Sequence, residues 1–340
     1  MPVIATNTVE TRDSLFSEHQ QLLVNIEINN SCAYTPVCGN TCYLNVVAPA
    51  GGVALPKADV LAAAREVILH GEHVRHLVLP GKEVFETAEL LLQIVEEFHG
   101  APEHTRPGDI SIITASAQGL HRCATRLAET PLGAVNISLD TAEMGLRNER
   151  NNVPLLNAAI ALKEIGGTER IGVNTVLTQR NLAAAVEIGK RLRGTGIDQW
   201  TLGPLLLPVN GRMESVLSAK QIREAVQQIA EEFAGADLNI VFDLDLPLMR
   251  KLVGSEEVFV VGAQRWRYEY ELPGAANILL EAGNPEPGYF FRMNWAGDLI
   301  SKEDYRRIGT PATYARYSPG RIARLTQELR QSRLEAVCTA

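Results

Sequence analysis

Residues 22–45 read LLVNIEINNSCAYTPVCGNTCYLN, and this stretch decides the fold because it joins a strand to a loop with three cysteines. Residues 22–29 are rich in branched apolar side chains, which favour a buried strand. Cys32, Cys38 and Cys42 follow with the spacing C-x5-C-x3-C. In a reducing compartment, cysteines this close together indicate a metal site rather than disulfides.

The rest of the first two thirds of the chain alternates between strand-like and helix-like patterns. Short runs of branched apolar residues predict strands, and longer amphipathic runs between them predict helices. This order is typical of βαβ units with a parallel sheet, so we predict an α/β fold with a partial (β/α)6 barrel over residues 21–235. The chemistry of such a barrel lies at the carboxyl ends of its strands, where the cysteine loop also falls. The predicted strands are residues 22–29, 76–79, 110–114, 134–139, 171–177 and 200–206, and the predicted helices are residues 57–69, 86–98, 120–128, 153–165, 181–192 and 219–234.

The pattern changes near residue 236. Short strands, a segment rich in Gly, Pro and aromatic residues that predicts hairpins, and a final helix replace the regular alternation. We therefore predict a small α+β C-terminal cap over residues 236–340 and an N-terminal extension over residues 1–20. The strands of the cap are predicted at residues 238–242 and 258–261, the hairpins within residues 281–308, and the helix at residues 321–330.

The composition of the chain limits which binding partners and which cellular compartment we expect. The chain has 340 residues, of which 46% are hydrophobic and 21% charged, as in ordinary globular proteins. A net charge of −8 argues against nucleic acid as a partner, since binding to phosphates needs a basic surface. The chain has no apolar stretch of membrane-spanning length, and residues 1–20 do not have the pattern of a signal peptide. We therefore expect a cytoplasmic protein that binds neither nucleic acid nor membranes.

The three cysteines could bind either iron, in a cluster, or zinc. Three thiolates on one loop can hold three irons of a [4Fe–4S] cluster and leave the fourth iron open to another ligand. Structural zinc takes four ligands, and no fourth cysteine or histidine lies near the loop in sequence. His70, His73 and His76 have the spacing H-x2-H-x2-H rather than H-E-x-x-H, so we interpret them as a polar turn before the second strand. The triad by itself leaves both metals open.

The first strand, the cysteine loop and Tyr43 resemble the N-terminal signature of the radical S-adenosylmethionine (radical SAM) superfamily. That signature usually reads C-x3-C-x2-C, and this loop departs from it in spacing. The end of the second strand, HLVLPGKE, is similar to the family's Gly-Gly-Glu motif, which orients the amino group of SAM. Gly81, Lys82 and Glu83 occupy the positions of that motif, with Lys82 in place of the second glycine and Glu83 as the acceptor.

Later strand ends match the family in the same order along the chain. The third strand ends in Thr-Ala-Ser, where relatives often have Thr-Asn-Gly, and the fourth ends in Ile-Ser-Leu-Asp, as in the family. The resemblance implies a radical SAM barrel with a [4Fe–4S] cluster and SAM as cofactors. It implies the cluster ligands Cys32, Cys38 and Cys42 and the SAM contacts Tyr43, Gly81, Lys82, Glu83, Thr114, Ser116, Ser138, Asp140, Asn174 and Leu207.

The segment GYFFRMNWAGDL, residues 288–299, looks like the hairpin of the SPASM or twitch extension of peptide-modifying relatives. Those extensions hold auxiliary clusters, but no cysteine lies between Cys123 and Cys338, so the ligands of such a cluster are absent. We expect this cap to close the barrel and to help bind substrate. For Arg292 and Trp295 within it, we expect a solvated arginine and a core tryptophan rather than substrate contacts.

The resemblance implies an enzyme that cleaves SAM to a 5′-deoxyadenosyl radical, which abstracts hydrogen from a ribosomally made peptide. The outcome would be a C–C rearrangement, a crosslink or a backbone excision. The expected partners are the precursor peptide, a small separate peptide-recognition protein, and flavodoxin or ferredoxin as electron donor. The sequence assigns no catalytic side chain.

Two other functions stay open. The same chemistry could act on a small molecule such as a sugar, a nucleoside or an amino acid. Sugar-modifying genes beside this one would favour that function, whereas a gene for a short precursor peptide would favour the peptide function. Alternatively, the chain is a non-catalytic scaffold with zinc in the triad, and metal analysis separates this function from the others.

Overall fold

The computed structural model describes residues 22–32, 53–140, 152–179, 181–204, 217–244, 248, 251–252, 267–272, 275–283, 290–301 and 313–339. Within these residues, one mixed sheet and the helices around it form an α/β fold. The strands are β1 (Leu22–Ile26), β2 (Val74–Leu79), β3 (Ile110–Thr114), β4 (Leu132–Ser138), β5 (Thr168–Leu177), β6 (Gln199–Pro204), β7 (Asn239–Leu244), β8 (Arg267–Leu272), β9 (Ala275–Gly283), β10 (Phe290–Met293), β11 (Asp298–Ser301) and β12 (Thr313–Arg316). The helices are α1 (Lys57–Leu69), α2 (Ala88–Gly100), α3 (Ala117–Glu129), α4 (Asn152–Glu164), α5 (Ala185–Leu192), α6 (Ala219–Phe233) and α7 (Arg321–Thr339).

The centre of the sheet is a run of parallel strands in chain order, from β1 to β7. Parallel neighbours need a crossover, and one of the helices α1 to α6 follows each of the strands β1 to β6. The predicted strands and helices of the partial barrel are therefore confirmed. In the described part of the chain, no helix is long and apolar enough to cross a membrane.

Burial alternates along these strands and separates two faces. On one face the side chains are apolar and fully buried, such as Val135 and Ile137 on β4. The side chains between them are partly exposed. Because successive side chains of a strand point to opposite faces, this second set lines the concave interior of the partial barrel, which we call the lumen. It includes Asn25, His76, Val78, Ile113, Asn136, Ser138, Arg170, Asn174, Val176, Gln199, Thr201 and Gly203.

Residues after β6 add strands to both edges of the same sheet. β7, β9 and β8 extend it beyond β6, whereas β10, β11 and β12 lie beside β1. β10 pairs in parallel with β1 and forms an antiparallel hairpin with β11, so one of the hairpins predicted within residues 281–308 is confirmed. The described strands of the predicted cap thus belong to the barrel sheet itself. The strand predicted at residues 258–261 lies outside the described residues, and the domain limits 1–20, 21–235 and 236–340 stay predictions.

One carboxylate anchors the last helix to the first. Glu66 of α1 accepts hydrogen bonds from the backbone nitrogens of Gly320 (2.5 Å) and Ile322 (3.1 Å) at the start of α7. The first N–H groups of a helix have no partner inside it, and a negative charge is stabilised there. Glu66 therefore acts as a capping group supplied by a neighbouring helix, and it holds the C-terminal segment against α1.

Candidate functional site

A buried carboxylate ties the ends of β2 and β3 together. Glu83, in the turn after β2, is 2% exposed. Its carboxylate accepts hydrogen bonds from Thr114 Oγ1 (2.6 Å) and from the backbone nitrogen of Ala115 (2.9 Å), one on each oxygen. Both oxygens therefore face donors within the protein. Gly81 and Lys82, which are partly exposed, remain the part of the predicted motif open to a ligand.

Burial raises the pKa of Glu83, although hydrogen bonds from Thr114, Ala115 and Phe85 oppose the shift. A carboxyl group with a higher pKa in the folded chain than in the unfolded chain binds protons more tightly when folded. Its contribution to stability is complete below about pH 4, the range in which an unfolded glutamate is protonated. That contribution is lost as the pH rises through the folded value.

We expect Glu83→Gln to remove this part of the pH dependence. Because glutamine stays neutral, the stability of the wild type relative to the variant should fall as the pH rises from about 4 towards neutrality. Urea unfolding of both proteins across that range measures the difference. Glu103→Gln makes the same change at an exposed position and controls for the general loss of negative charge. Parallel stability curves for the wild type and Glu83→Gln contradict the prediction.

Asn29 connects the end of β1 to the same turn. Its amide nitrogen donates to the carbonyl oxygen of Glu83 (2.8 Å), and the backbone nitrogen of Glu83 donates to the carbonyl oxygen of Ser31 (3.1 Å). Gly81 lies against the amide of Asn29, since a Cβ at this glycine would be 2.9 Å from Asn29 Oδ1. These contacts hold Cys32, the residue after Ser31, beside the turn that follows β2.

A second network fastens the ends of β4 and β5. Asp140 Oδ1 accepts a hydrogen bond from the backbone nitrogen of Val176 (3.0 Å). Asn181 Nδ2 donates to the carbonyl oxygens of Asp140 and Val176, each at 2.8 Å. Asp140 is 6% exposed and Asn181 is 5% exposed. Asp140, predicted as a SAM contact, therefore helps to hold the strand ends in place.

A buried ion pair lies just before the cysteine loop. Glu27, directly after β1, pairs with Arg292 on β10, and the two residues are 0% and 3% exposed. The backbone nitrogen of Trp295 donates to the other oxygen of Glu27 (3.2 Å). The expectation of a solvated Arg292 is wrong, because the parallel pairing of β10 with β1 brings its guanidinium against a buried carboxylate. Trp295, 8% exposed, is a core residue as predicted.

Contacts among His76, Ser111 and Asp109 follow the order of a hydrolytic triad. His76 Nε2 lies 2.6 Å from Ser111 Oγ, and His76 Nδ1 lies 3.3 Å from Asp109 Oδ2. However, Ser111 is 0% exposed, and Asp109 is also paired with Arg170. A nucleophile must reach its substrate, so the arrangement does not indicate a hydrolase. These residues lie at the amino ends of the strands, where a parallel barrel carries residues that stabilise it.

Charge at this end of the lumen is balanced within the protein. Burial disfavours the charged form of Asp109, but His76 and the guanidinium of Arg170 outweigh burial and hold the pKa of this carboxyl below its ordinary value. β2 begins at Val74, two residues before the predicted start at His76, so the predicted polar turn is shorter than expected. We therefore interpret these side chains as the floor of the lumen.

The described site residues lie at or near the carboxyl ends of β1 to β5. Thr114 and Ser116 use their hydroxyls locally, since Thr114 donates to Glu83 and Ser116 Oγ accepts from the backbone nitrogen of Gly119 (3.0 Å). Ser138 and Asn174 have partly exposed side chains in the lumen. The described predicted residues are Cys32, Gly81, Lys82, Glu83, Thr114, Ser116, Ser138, Asp140 and Asn174, whereas Cys38, Cys42, Tyr43 and Leu207 lie outside the described residues.

Sequence reasoning missed four residues of this region, namely Glu27, Asn29, Asn136 and Asn181. Each is a polar residue inside an apolar strand or soon after one, which is the only local signal that it carries. Whether such a residue faces the lumen, a neighbouring turn or an ion-pair partner depends on strand register, which a single sequence does not reveal.

No protein-family model matches the chain, and no curated protein matches its sequence. Its fold is similar to that of SuiB from Streptococcus suis. SuiB bound to SAM gives a TM-score of 0.57 at 16% identity, over 83% of this chain and 60% of SuiB. SuiB bound to its precursor peptide SuiA gives 0.59 at 14% identity, over 87% of this chain and 62% of SuiB. The enzyme anSMEcpe with bound SAM gives 0.56 at 12% identity, over 91% of this chain and 82% of anSMEcpe.

SuiB and anSMEcpe are radical SAM enzymes, and the strands and helices described above form a partial barrel of the same fold. The chain spans 60% of the length of SuiB in the complex with SAM. At such low identities, the likeness establishes the fold, and arguments about activity depend on the residues of this chain.

Proposed function

We propose that the chain is a radical SAM enzyme that modifies a ribosomally made peptide. The observation that carries the proposal is the position of Cys32 at the carboxyl edge of the partial barrel. The hydrogen bond from Glu83 N to Ser31 O (3.1 Å) holds this cysteine beside the turn after β2. Cys38 and Cys42, in the same loop, supply the other thiolates that a [4Fe–4S] cluster with one open iron requires.

The residues around Cys32 fit the two proposed cofactors. Thiolates are the ligands that iron–sulfur clusters take. Gly81 packs against the amide of Asn29, where a Cβ would be 2.9 Å from Oδ1, and Gly81 itself is partly exposed. Asn29 Oδ1 is a buried acceptor without a hydrogen-bond partner among the described residues. An unused acceptor beside a partly exposed glycine suits the ammonium end of SAM.

Cys32, Cys38 and Cys42 would hold the cluster, which with SAM and one added electron would supply a 5′-deoxyadenosyl radical for the removal of a hydrogen atom from a substrate C–H bond. We propose flavodoxin or ferredoxin as the electron donor. The residues of this chain contribute positioning: Glu83 and Asn29 fix the ends of β1, β2 and β3, and Asp140 and Asn181 fix those of β4 and β5. The partly exposed lumen lies between these ends and holds the substrate.

A peptide substrate is supported by two observations. The fold is similar to that of SuiB, which binds its precursor peptide SuiA. The lumen also carries neutral polar side chains, including Asn136, Asn174 and Thr201, that can bind amide groups. The reaction in this proposal is a C–C rearrangement, a crosslink or a backbone excision. A small separate recognition protein presents the peptide, and the hairpin of β10 and β11 plays the role of a SPASM-like extension without a cluster.

Anaerobic reconstitution with iron and sulfide, followed by dithionite and SAM, tests the proposed function. We expect iron and sulfide to be incorporated and 5′-deoxyadenosine to form. A precursor peptide encoded beside the gene should increase its formation and should itself change in mass, whereas sugars and nucleosides should do neither. Incorporation of zinc without iron would instead support the scaffold function.

A further inference from the structure

The lumen face of β4 and β5 carries two amide side chains that the protein does not use. Asn136 on β4 and Asn174 on β5 are both partly exposed. Among the described residues, neither side chain has a hydrogen-bond partner, whereas the lumen amide of Gln199 donates to Thr201 Oγ1 (2.9 Å). Each unused amide offers donors and an acceptor. Polar groups half-enclosed in a concave surface are suited to bind a ligand.

Because Gly172 has no side chain, the amides of Asn136 and Asn174 can lie in line along β5. Asn136 and Gly172 are partners in the register of β4 and β5, and Asn136 Oδ1 lies only 2.2 Å from the place that a Cβ of Gly172 would take. The amide of Asn136 therefore lies over β5 at the level of Gly172. Asn174 is two residues further along β5 and points to the same face, about 6–7 Å away at the usual rise per residue.

This spacing matches the repeat of an extended peptide. The main-chain N–H and C=O groups on one edge of such a peptide recur every two residues, also about 6–7 Å apart. Neutral amides suit these groups, whereas a phosphate or a carboxylate is bound more strongly by a cation. Arg170, the cation at the floor of the lumen, is already paired with Asp109.

We infer that Asn136 and Asn174 bind the main chain of the substrate peptide, which lies extended along β5 in the lumen. This inference depends on the proposed function and deepens it, because it names the groups that recognise the peptide independently of its side chains. It also moves Asn174 from the cofactor to the substrate. Gly172 has a role as well, since its lack of a side chain makes room for the amide of Asn136.

The test uses the reconstituted protein with SAM bound and an end-blocked hexapeptide of alternating glycine and serine as the probe. Its dissociation constant is measured by ligand-observed NMR. We expect Asn136→Ala to weaken binding about three- to tenfold, as for the loss of one neutral hydrogen bond. Gly172→Ala should weaken it similarly, because the new methyl group displaces the Asn136 amide, and the double variant should lose no more than either single variant.

Asn239→Ala is the matched control. It deletes the same amide at a position where the side chain already donates to Asp198 O (3.1 Å), and it should leave binding unchanged. The inference is overturned if the wild type shows no saturable binding, or if Asn136→Ala binds the probe as well as the wild type does. Undiminished binding of a probe with alternate N-methylated nitrogens, or equal competition by maltotriose, overturns it too.

The formation of 5′-deoxyadenosine by the wild type in the same samples tests the proposed function separately. If 5′-deoxyadenosine forms and the peptide data fail, only the site in the lumen is wrong. If none forms while the peptide data follow the expected pattern, the radical chemistry is wrong and the peptide site stands.

Discussion

Cys32→Ala is expected to abolish the incorporation of the cluster and to lower the formation of 5′-deoxyadenosine by at least about a hundredfold. A cubane with one open iron needs three thiolates, and the loop has no cysteine in reserve. The distant Cys123 cannot substitute, because it is 4% exposed on α3 and burial raises the pKa of its thiol. Iron and sulfide content and the yield of 5′-deoxyadenosine measure both effects.

Cys123→Ala provides the matched control for this prediction. It is the same replacement, made in the helix layer instead of the loop, and it should leave iron content and product near wild-type values. Cys38→Ala and Cys42→Ala should resemble Cys32→Ala if the three cysteines act as one ligand set. A Cys32→Ala protein that keeps its iron and its activity excludes this residue as a ligand and removes the main support of the proposed function.

Glu27→Ala is expected to destabilise the fold by about 3–5 kcal/mol, the usual cost of removing one partner of a buried ion pair. The variant takes from Arg292 its buried carboxylate and from the backbone nitrogen of Trp295 its acceptor. The loss falls where β10 joins β1, five residues before Cys32 in the chain. Urea unfolding of the apoprotein measures it, and cluster content after reconstitution should fall as well.

Two further variants test whether the loss of stability in Glu27→Ala comes from a buried charge left without its partner. Glu89→Ala removes one of the two carboxylates that pair with the exposed Arg126, and the Glu89 side chain is 87% exposed, so this change should affect stability far less than Glu27→Ala does. Glu27→Leu combined with Arg292→Met replaces the buried pair by apolar side chains, so the double variant should be clearly more stable than Glu27→Ala. If Glu27→Ala costs no more than Glu89→Ala, the pair does not hold the sheet edge.

The order of strands and helices up to β6 was predictable because its signal is local. Branched apolar runs separated by amphipathic runs appear in the sequence as they do in the fold, and the predicted limits of α1 and β3 agree with the structure. The position of the cysteine loop at the carboxyl edge follows from the same order, since the loop comes directly after β1. The sequence also placed Gly81, Thr114 and Ser138 at strand ends for this reason.

Tertiary structure alone decided how the polar residues are used. The pairing of Glu27 with Arg292 joins positions 265 residues apart, and it exists because β10 lies beside β1. The occupied carboxylate of Glu83 and the position of Asn136 over Gly172 depend in the same way on strands meeting in one register. Local sequence determines which residues form strands, because periodicity is a property of neighbours in the chain. Which strands meet, and in which register, is set by packing across the whole sheet, where a shift of one residue would turn every side chain to the other face.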